Sequence, residues 1–263
     1  VERVPQGILN ERLAEGRFDL SRHEPAESLR SFVQYYWLVR WDLHGKPDHE
    51  QRVLPNLSVH VSFSPAASGV WAPSEDVFSY RLSGKGHVLG VRFHPGCFRS
   101  FLAGPVSALP GKHVPLEAVF GEAGKATEAA ILTNEDAGEM VALANSLLCT
   151  KARTPTSSEL RAREAVSAIA VDPSITKVGQ LSEATGLSVR SLQRLFTDCV
   201  GVSPKWAIQV YRLNEAAKRL AEEPGLHSAS LAATLGYSDQ AHFTRSFTAA
   251  IGTPPSAYGR NQI

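Results

Sequence analysis

The chain has 263 residues, 43% hydrophobic and 20% charged, with 27 Lys+Arg against 26 Asp+Glu and a formal net charge of +1. Its length points to two domains with a sizeable core, and the near-neutral balance excludes indiscriminate nucleic-acid binding through a basic field. No run approaches the ~18 apolar residues of a membrane span, and three widely spaced cysteines, Cys97, Cys149 and Cys199, do not make a zinc or disulfide framework.

The first residues, VERVPQGILNERL, are charged and lack the apolar segment of a signal peptide, so a cytoplasmic location is expected. The first ~120 residues then read as strands punctuated by Gly and Pro. QYYWLVRWDL is aromatic and β-branched. LSVHVSF alternates, with Leu57, Val59, Val61 and Phe63 on one face and Ser58, His60 and Ser62 on the other. HVLGVRFHPG sets Val91 and Phe93 opposite Arg92 and His94 before breaking at Pro95-Gly96. Short strands of this kind predict a small barrel or rolled sheet, with helical turns at CFRSFLAG and LEAVFG. Within it, Tyr35, Tyr36, Trp37, Trp41 and Trp71 are candidates either for core filling or for a ligand pocket. The ligand-site expectation is Trp37, Arg40, Trp41, His60, Arg92 and His94, the cations and imidazoles fixing a polar end. Seven histidines precede residue 120, but none has compact ligand spacing, and no metal or other cofactor is expected.

From about Lys125 to Leu148 the pattern turns helical, and Cys149–Ser158 reads as a polar, proline-bearing linker. Further helices are expected at Glu159–Val171, Val178–Ala184, Val189–Cys199, Pro204–Glu222, Ser230–Leu235 and Gln240–Ala250. The expected organisation is thus residues 1–148 as an effector-binding or dimerisation domain, 149–158 as a linker and 159–263 as a DNA-binding domain. In fold class this is α+β: a strand-rich, barrel-like first domain with flanking helices, then an all-α domain with two helix-turn-helix motifs.

The second domain repeats itself. QLSEATGLSVRSLQRLFTDCVGVSP returns as SLAATLGYSDQAHFTRSFTAAIGTPP, with Leu181, Gly186 and Ser188 matching Leu231, Gly236 and Ser238. After one inserted residue Leu192, Arg194, Phe196, Gly201 and Pro204 match Phe243, Arg245, Phe247, Gly252 and Pro255. A short helix, a glycine turn and a second helix with a polar, partly basic face form a unit that reads the major groove. Leu192, Leu195 and Phe196, like Phe243 and Phe247, face inward. The outward candidates are Arg190, Ser191, Gln193 and Arg194 on the first helix, and Gln240, Ala241, His242, Thr244 and Arg245 on the second. Arginine pairs with guanine, glutamine with adenine, and an alanine methyl meets that of thymine. Ser188 is a candidate N-cap, as is Ser238 or Asp239, with N–H groups suited to phosphate. The Pro204–Glu222 spacer, about 28 Å long as a helix, would hold two reading helices roughly one DNA turn, about 34 Å, apart. Residues from Ser157 carry 11 Lys+Arg and 9 Asp+Glu, so contacts must come from local cation placement.

LAATLGYSDQAHFTRSFTAAIGTPPSAY and YRLNEAAKRL resemble the AraC/XylS family of transcriptional regulators over about Ser157 to Arg260. The resemblance implies seven helices, promoter binding, no enzymatic activity, and base reading by Arg190, Gln193, Arg194, Gln240, Ala241, His242 and Arg245. Thr197 and Thr248 stand where members often carry a basic residue, and Gly259 interrupts the common Tyr-Arg ending. YYWLVRWDL, VLPNLSVHVSF and LGVRFHPGCFRSFLAGPVSAL resemble an uncharacterised domain that precedes such modules. Double-stranded DNA is the expected partner, with RNA polymerase, a small-molecule effector and a second copy of the chain as further candidates. Two readings compete with ligand sensing: a first domain that only dimerises or meets a protein, and a barrel metalloenzyme fused to a DNA-binding domain.

Overall fold

The computed structural model describes residues 16–74, 77–109, 113–223 and 225–260; the charged opening segment through residue 15 lies outside them. Eight strands occupy the first half: β1 Asp19–His23, β2 Val33–Asp42, β3 His49–Val53, β4 His60–Phe63, β5 Gly69–Trp71, β6 Phe78–Leu82, β7 Lys85–Phe93 and β8 His113–Val114. Six form one antiparallel sheet in the order β1-β2-β7-β4-β5-β8, while β3 and β6 pair separately as a two-stranded ribbon. The strand-rich half is therefore an enclosure of two sheets rather than one sheet closed on itself.

Alternation along the strands decides the layers. Tyr36 and Leu38 of β2, Val61 and Phe63 of β4, and Leu89, Val91 and Phe93 of β7 point to one side. There they pack against the helices α1 Leu116–Phe120, α2 Glu122–Leu132 and α3 Ala137–Cys149, through Ile131, Met140, Ala144 and Leu147 among others. The helical pattern expected from Lys125 to Leu148 is thus two helices. The break falls at Thr133–Asp136, where the Asp136 carboxylate accepts from the Glu139 N–H and starts α3. CFRSFLAG makes only a single 3-10 turn, Arg99–Phe101.

Seven helices follow: α4 Ser157–Val171, α5 Val178–Thr185, α6 Val189–Leu195, α7 Pro204–Glu222, α8 Ser228–Thr234, α9 Gln240–Ile251 and α10 Pro255–Arg260. Helix α4 begins two residues earlier than the spacing predicts, because Thr156 and Glu159 form a reciprocal capping box. Helix α6 gives way over Phe196–Val200 to a wider π turn, closed by the Gly201 N–H on the Phe196 carbonyl at 2.7 Å. All three cysteines are free thiols, and no helix of the described residues is long and apolar enough to cross a membrane.

Paired reading helices and a cavity behind the sheet

The sequence repeat is a structural repeat. In the first unit α5 ends at Gly186 (φ 67°) and α6 follows; in the second α8 ends beside Gly236 (φ 72°) and α9 follows. Both turns need the left-handed backbone that glycine adopts without a Cβ penalty. Leu181, Leu192 and Phe196 are buried in one cluster, Leu231, Phe243 and Phe247 in another, and α7 contributes to both through Val210 and Tyr211 or Leu213 and Leu220. Each unit thus has its own core, bolted to opposite ends of one helix.

The outward faces of α6 and α9 carry the side chains that the sequence marks for base edges. Arg190, Gln193 and Arg194 are exposed and Ser191 half-buried; Gln240, Ala241, His242 and Arg245 are exposed and Thr244 half-buried. Among the described residues Arg190 and Arg194 form no ion pair, while the Arg245 charge acts on the Asp239 carboxylate at the start of its own helix. The helix starts differ. The Ser188 hydroxyl accepts from the Ser191 N–H, a neutral cap. In α9 the inserted residue moves the cap to Asp239, which accepts from the His242 N–H at 2.7 Å. That bond and the Ser238 hydroxyl hold the Asp239 carboxyl below its usual range. Ser238 is therefore a supporting donor rather than the cap, and a carboxylate already occupies the helix start that phosphate would use.

The first domain carries a cavity of about 470 Å³ between the large sheet and the β3–β6 ribbon. One row of side chains crosses its wall from strand to strand: Tyr35, Arg92, His60 and Trp71, each the register partner of the next. The neighbouring row holds Trp37, Gly90 and Ser62. Gly90 is required by contact: a Cβ there would stand 1.9 Å from the Trp37 indole, which lies flat across it. His60 accepts from Trp37 Nε1 on Nδ1 and meets Asn56 Oδ1 through Nε2, which assigns its proton to Nε2. Burial, then the Arg92 charge, push this imidazole down to about 3, so it is neutral at physiological pH. Trp71 donates to Ser62, and Ser64 bonds the Tyr80 hydroxyl.

Of the six side chains expected to hold a ligand, Trp37, His60 and Arg92 line this cavity. Arg40 does not: strand parity turns it to the opposite face with Tyr36 and Leu38, where its guanidinium bonds the Glu135 carbonyl. Trp41 has the right parity but sits beyond the end of the cavity, packed on Gly86 and Tyr80 with its N–H on Ser83. His94 follows the end of β7 and faces Arg163 of α4, at the seam between the two halves; burial first, then Arg163, push it down to about 4. Sequence reasoning missed Arg22, Gln51 and the ribbon residues Phe78 and Tyr80. The only signal for the ribbon was the short alternation of HEQRV and FSYRL. Among the described residues no three His, Cys, Asp or Glu side chains gather to hold a metal.

Two tandem reading units on a shared spacer helix, behind a cavity-bearing sheet domain, define a DNA-binding transcriptional regulator. Residues 181–261 match a family model described as a helix-turn-helix domain, and residues 21–115 one described as a domain of unknown function (DUF6597). Probable transcription factor PqrA of Proteus vulgaris is 34% identical over 85 residues, covering 32% of this chain and 69% of that protein. A transcriptional regulator of Chromobacterium violaceum with an AraC-type DNA-binding domain aligns with 40% of this chain and 94% of its own, at 24% identity and a TM-score of 0.36. ToxT from Vibrio cholerae O395 aligns with 94% of this chain and 95% of its own, at 12% identity and a TM-score of 0.40. The chain belongs to the AraC/XylS family of transcriptional regulators.

Proposed function

We propose that this regulator binds a two-part promoter site sequence-specifically, and that its first domain (residues 1–148, joined by 149–158 to 159–263) senses a small molecule. One observation carries the sensing role. The segment from Gln51 to Ser58 walls the cavity on one side and reaches both reading units on the other. Gln51, Val53, Leu54, Pro55, Asn56 and Ser58 line the cavity. Leu54 is buried in the core of the second unit and Leu57 in that of the first. Between them the Pro55 carbonyl accepts from Asn214 of α7 at 3.0 Å, and Arg52 donates to the Ile251 carbonyl, the last residue of α9, at 2.7 Å. An occupant that moved this segment would move both units, and only a ligand with different affinity for the two placements can do so.

The DNA-reading side chains proposed are Arg190, Ser191, Gln193 and Arg194 with Gln240, Ala241, His242, Thr244 and Arg245, while the Ser188 cap supports phosphate contact. Selection from random duplexes tests the reading: the expected product is a site with two elements about 10 base pairs apart. Arg194→Ala and Arg245→Ala each cost about 1–3 kcal/mol on that site and relax base preference within one element. Failure to enrich any sequence, or equal loss on every duplex, would sink the assignment. RNA polymerase and a second copy of the chain are the further partners this role invites.

A further inference from the structure

Among its described residues the cavity behind the sheet has a definite electrostatic character, which points to its occupant. Among the described lining residues two are arginines, Arg22 and Arg92, and none is acidic. Arg92 is only 6% exposed. Its Nε donates to Gln34 Oε1 at 3.0 Å, and its guanidinium lies 5.9 Å from the centre of the Tyr35 ring, over which Arg22 also sits at 4.9 Å. No described residue bonds its terminal nitrogens or forms an ion pair with it. A buried cation without a counter-charge is costly; here the unpaired donors belong to a residue that lines open volume. A second unpaired group stands two residues along the same face from His60: the Ser58 Oγ, 1% exposed and without a hydrogen-bond partner. The other walls are apolar or aromatic, chiefly Trp37, Val39, Val53, Trp71, Phe78 and Leu82.

We propose that the cavity binds an amphipathic organic anion: one carboxylate paired with the Arg92 guanidinium and in reach of Ser58, on a flat or flexible apolar body against Trp37, Trp71 and Phe78. A planar guanidinium offers a carboxylate two parallel donors that an amide or alcohol does not match. A volume near 470 Å³ lies within the ~300–1,000 Å³ typical of small-molecule sites. Neutral His60 adds no charge to those of Arg22 and Arg92. This inference rests on the sensing role above and names the chemistry of that same site.

The test uses the full chain with 4-biphenylcarboxylate and decanoate, each beside its primary amide and its amine, followed by calorimetry and thermal unfolding. At least one carboxylate is expected to bind ten or more times tighter than its amide and to raise Tm, while the amine binds no better than the amide. Arg92→Gln abolishes the preference and Arg92→Lys keeps most of it. Should Arg92→Gln fail to fold, Ser58→Ala and Arg22→Gln must still weaken the carboxylate more than the amide. Equal binding of acid and amide, preference for the amine, or no binding of either acid overturns the proposal. Affinity for the selected duplex is measured in parallel. A carboxylate that binds through Arg92 without changing DNA affinity keeps the anion site and sinks the sensor. A neutral occupant that changes DNA affinity does the reverse.

Discussion

At the residue scale, the chemistry of the first domain is set by which groups are kept from water. His60 and His94 both remain neutral in the folded chain, at about 3 and about 4, because burial opposes their charged form and Arg92 and Arg163 add repulsion. The unfolded chain takes up these protons near 6.5, so it binds more protons than the folded one below that pH. Stability is therefore complete above about pH 6.5 and falls as the pH drops toward 4, by roughly 1 kcal/mol per pH unit for each histidine. Urea unfolding across pH 7.5 to 4.5 reads this directly, and His60→Asn should flatten the slope by about one proton. Parallel slopes for the two proteins would show that His60 does not titrate between the states. The same scale exposes the limit of pattern reading. Alternation places Trp37, His60 and Arg92 opposite the apolar set, on the cavity behind the sheet, whereas Arg40, an odd number of positions from Trp37, lines a separate cavity with Trp41. One residue of offset reverses the face of a strand, and no local signal marked where the cavity ends before Trp41.

At the element scale, the helices were legible where glycine, proline and capping residues punctuate a clear period. The paired turns at Gly186 and Gly236 came directly from the repeat. Less legible were boundaries decided by partners distant in sequence. Helix α4 starts at Ser157 because Glu159 closes a capping box with Thr156 and, in the same carboxylate, accepts from the Ser100 N–H at 2.8 Å and from the Ser100 hydroxyl. Nothing in the linker announces a contact 59 residues away. Glu159 is 0% exposed, so all of these donors lose their acceptor together if it is removed. Glu159→Ala is expected to lower the unfolding free energy by about 2–4 kcal/mol, read by chemical denaturation; a change below about 0.5 kcal/mol would show that water replaces the carboxylate at no cost. The ribbon of β3 and β6 went unread for a related reason. Its polar members Glu50, Arg52 and Arg81 break the apolar pattern, and what holds it is the cavity side, with Tyr80 and Phe78 on Ser64 and Trp71.

At the scale of the whole molecule, the first domain touches the two reading units at corresponding points of the repeat. Gly201 and Gly252, equivalent after the insertion, close the two reading helices in left-handed backbone (φ 90° and 79°). A Cβ on the first would stand 2.8 Å from Val106, and on the second 2.9 Å from the Arg52 guanidinium. Beside them Arg99 pairs with Asp198 at 2.9 Å, a partly exposed bridge that is worth little by itself. The repeat was legible in the sequence; this bracketing of it was not, because nothing local to Val106 or Arg52 marks contacts with Gly201 and Gly252 so far along the chain.

Leu54 and Leu57 have a practical corollary for anyone dissecting the protein. Each plugs a hydrophobic socket in a different unit, so a fragment spanning only 157–263 would be born with two open holes in its surface. Such a fragment is expected to self-associate at concentrations where the intact chain does not, seen by sedimentation, and to improve when Leu213 and Leu181 are left in place but detergent or a peptide spanning 51–58 is supplied. A well-behaved monomeric fragment, unaffected by that peptide, would mean that the two stoppers contribute fit without contributing solubility.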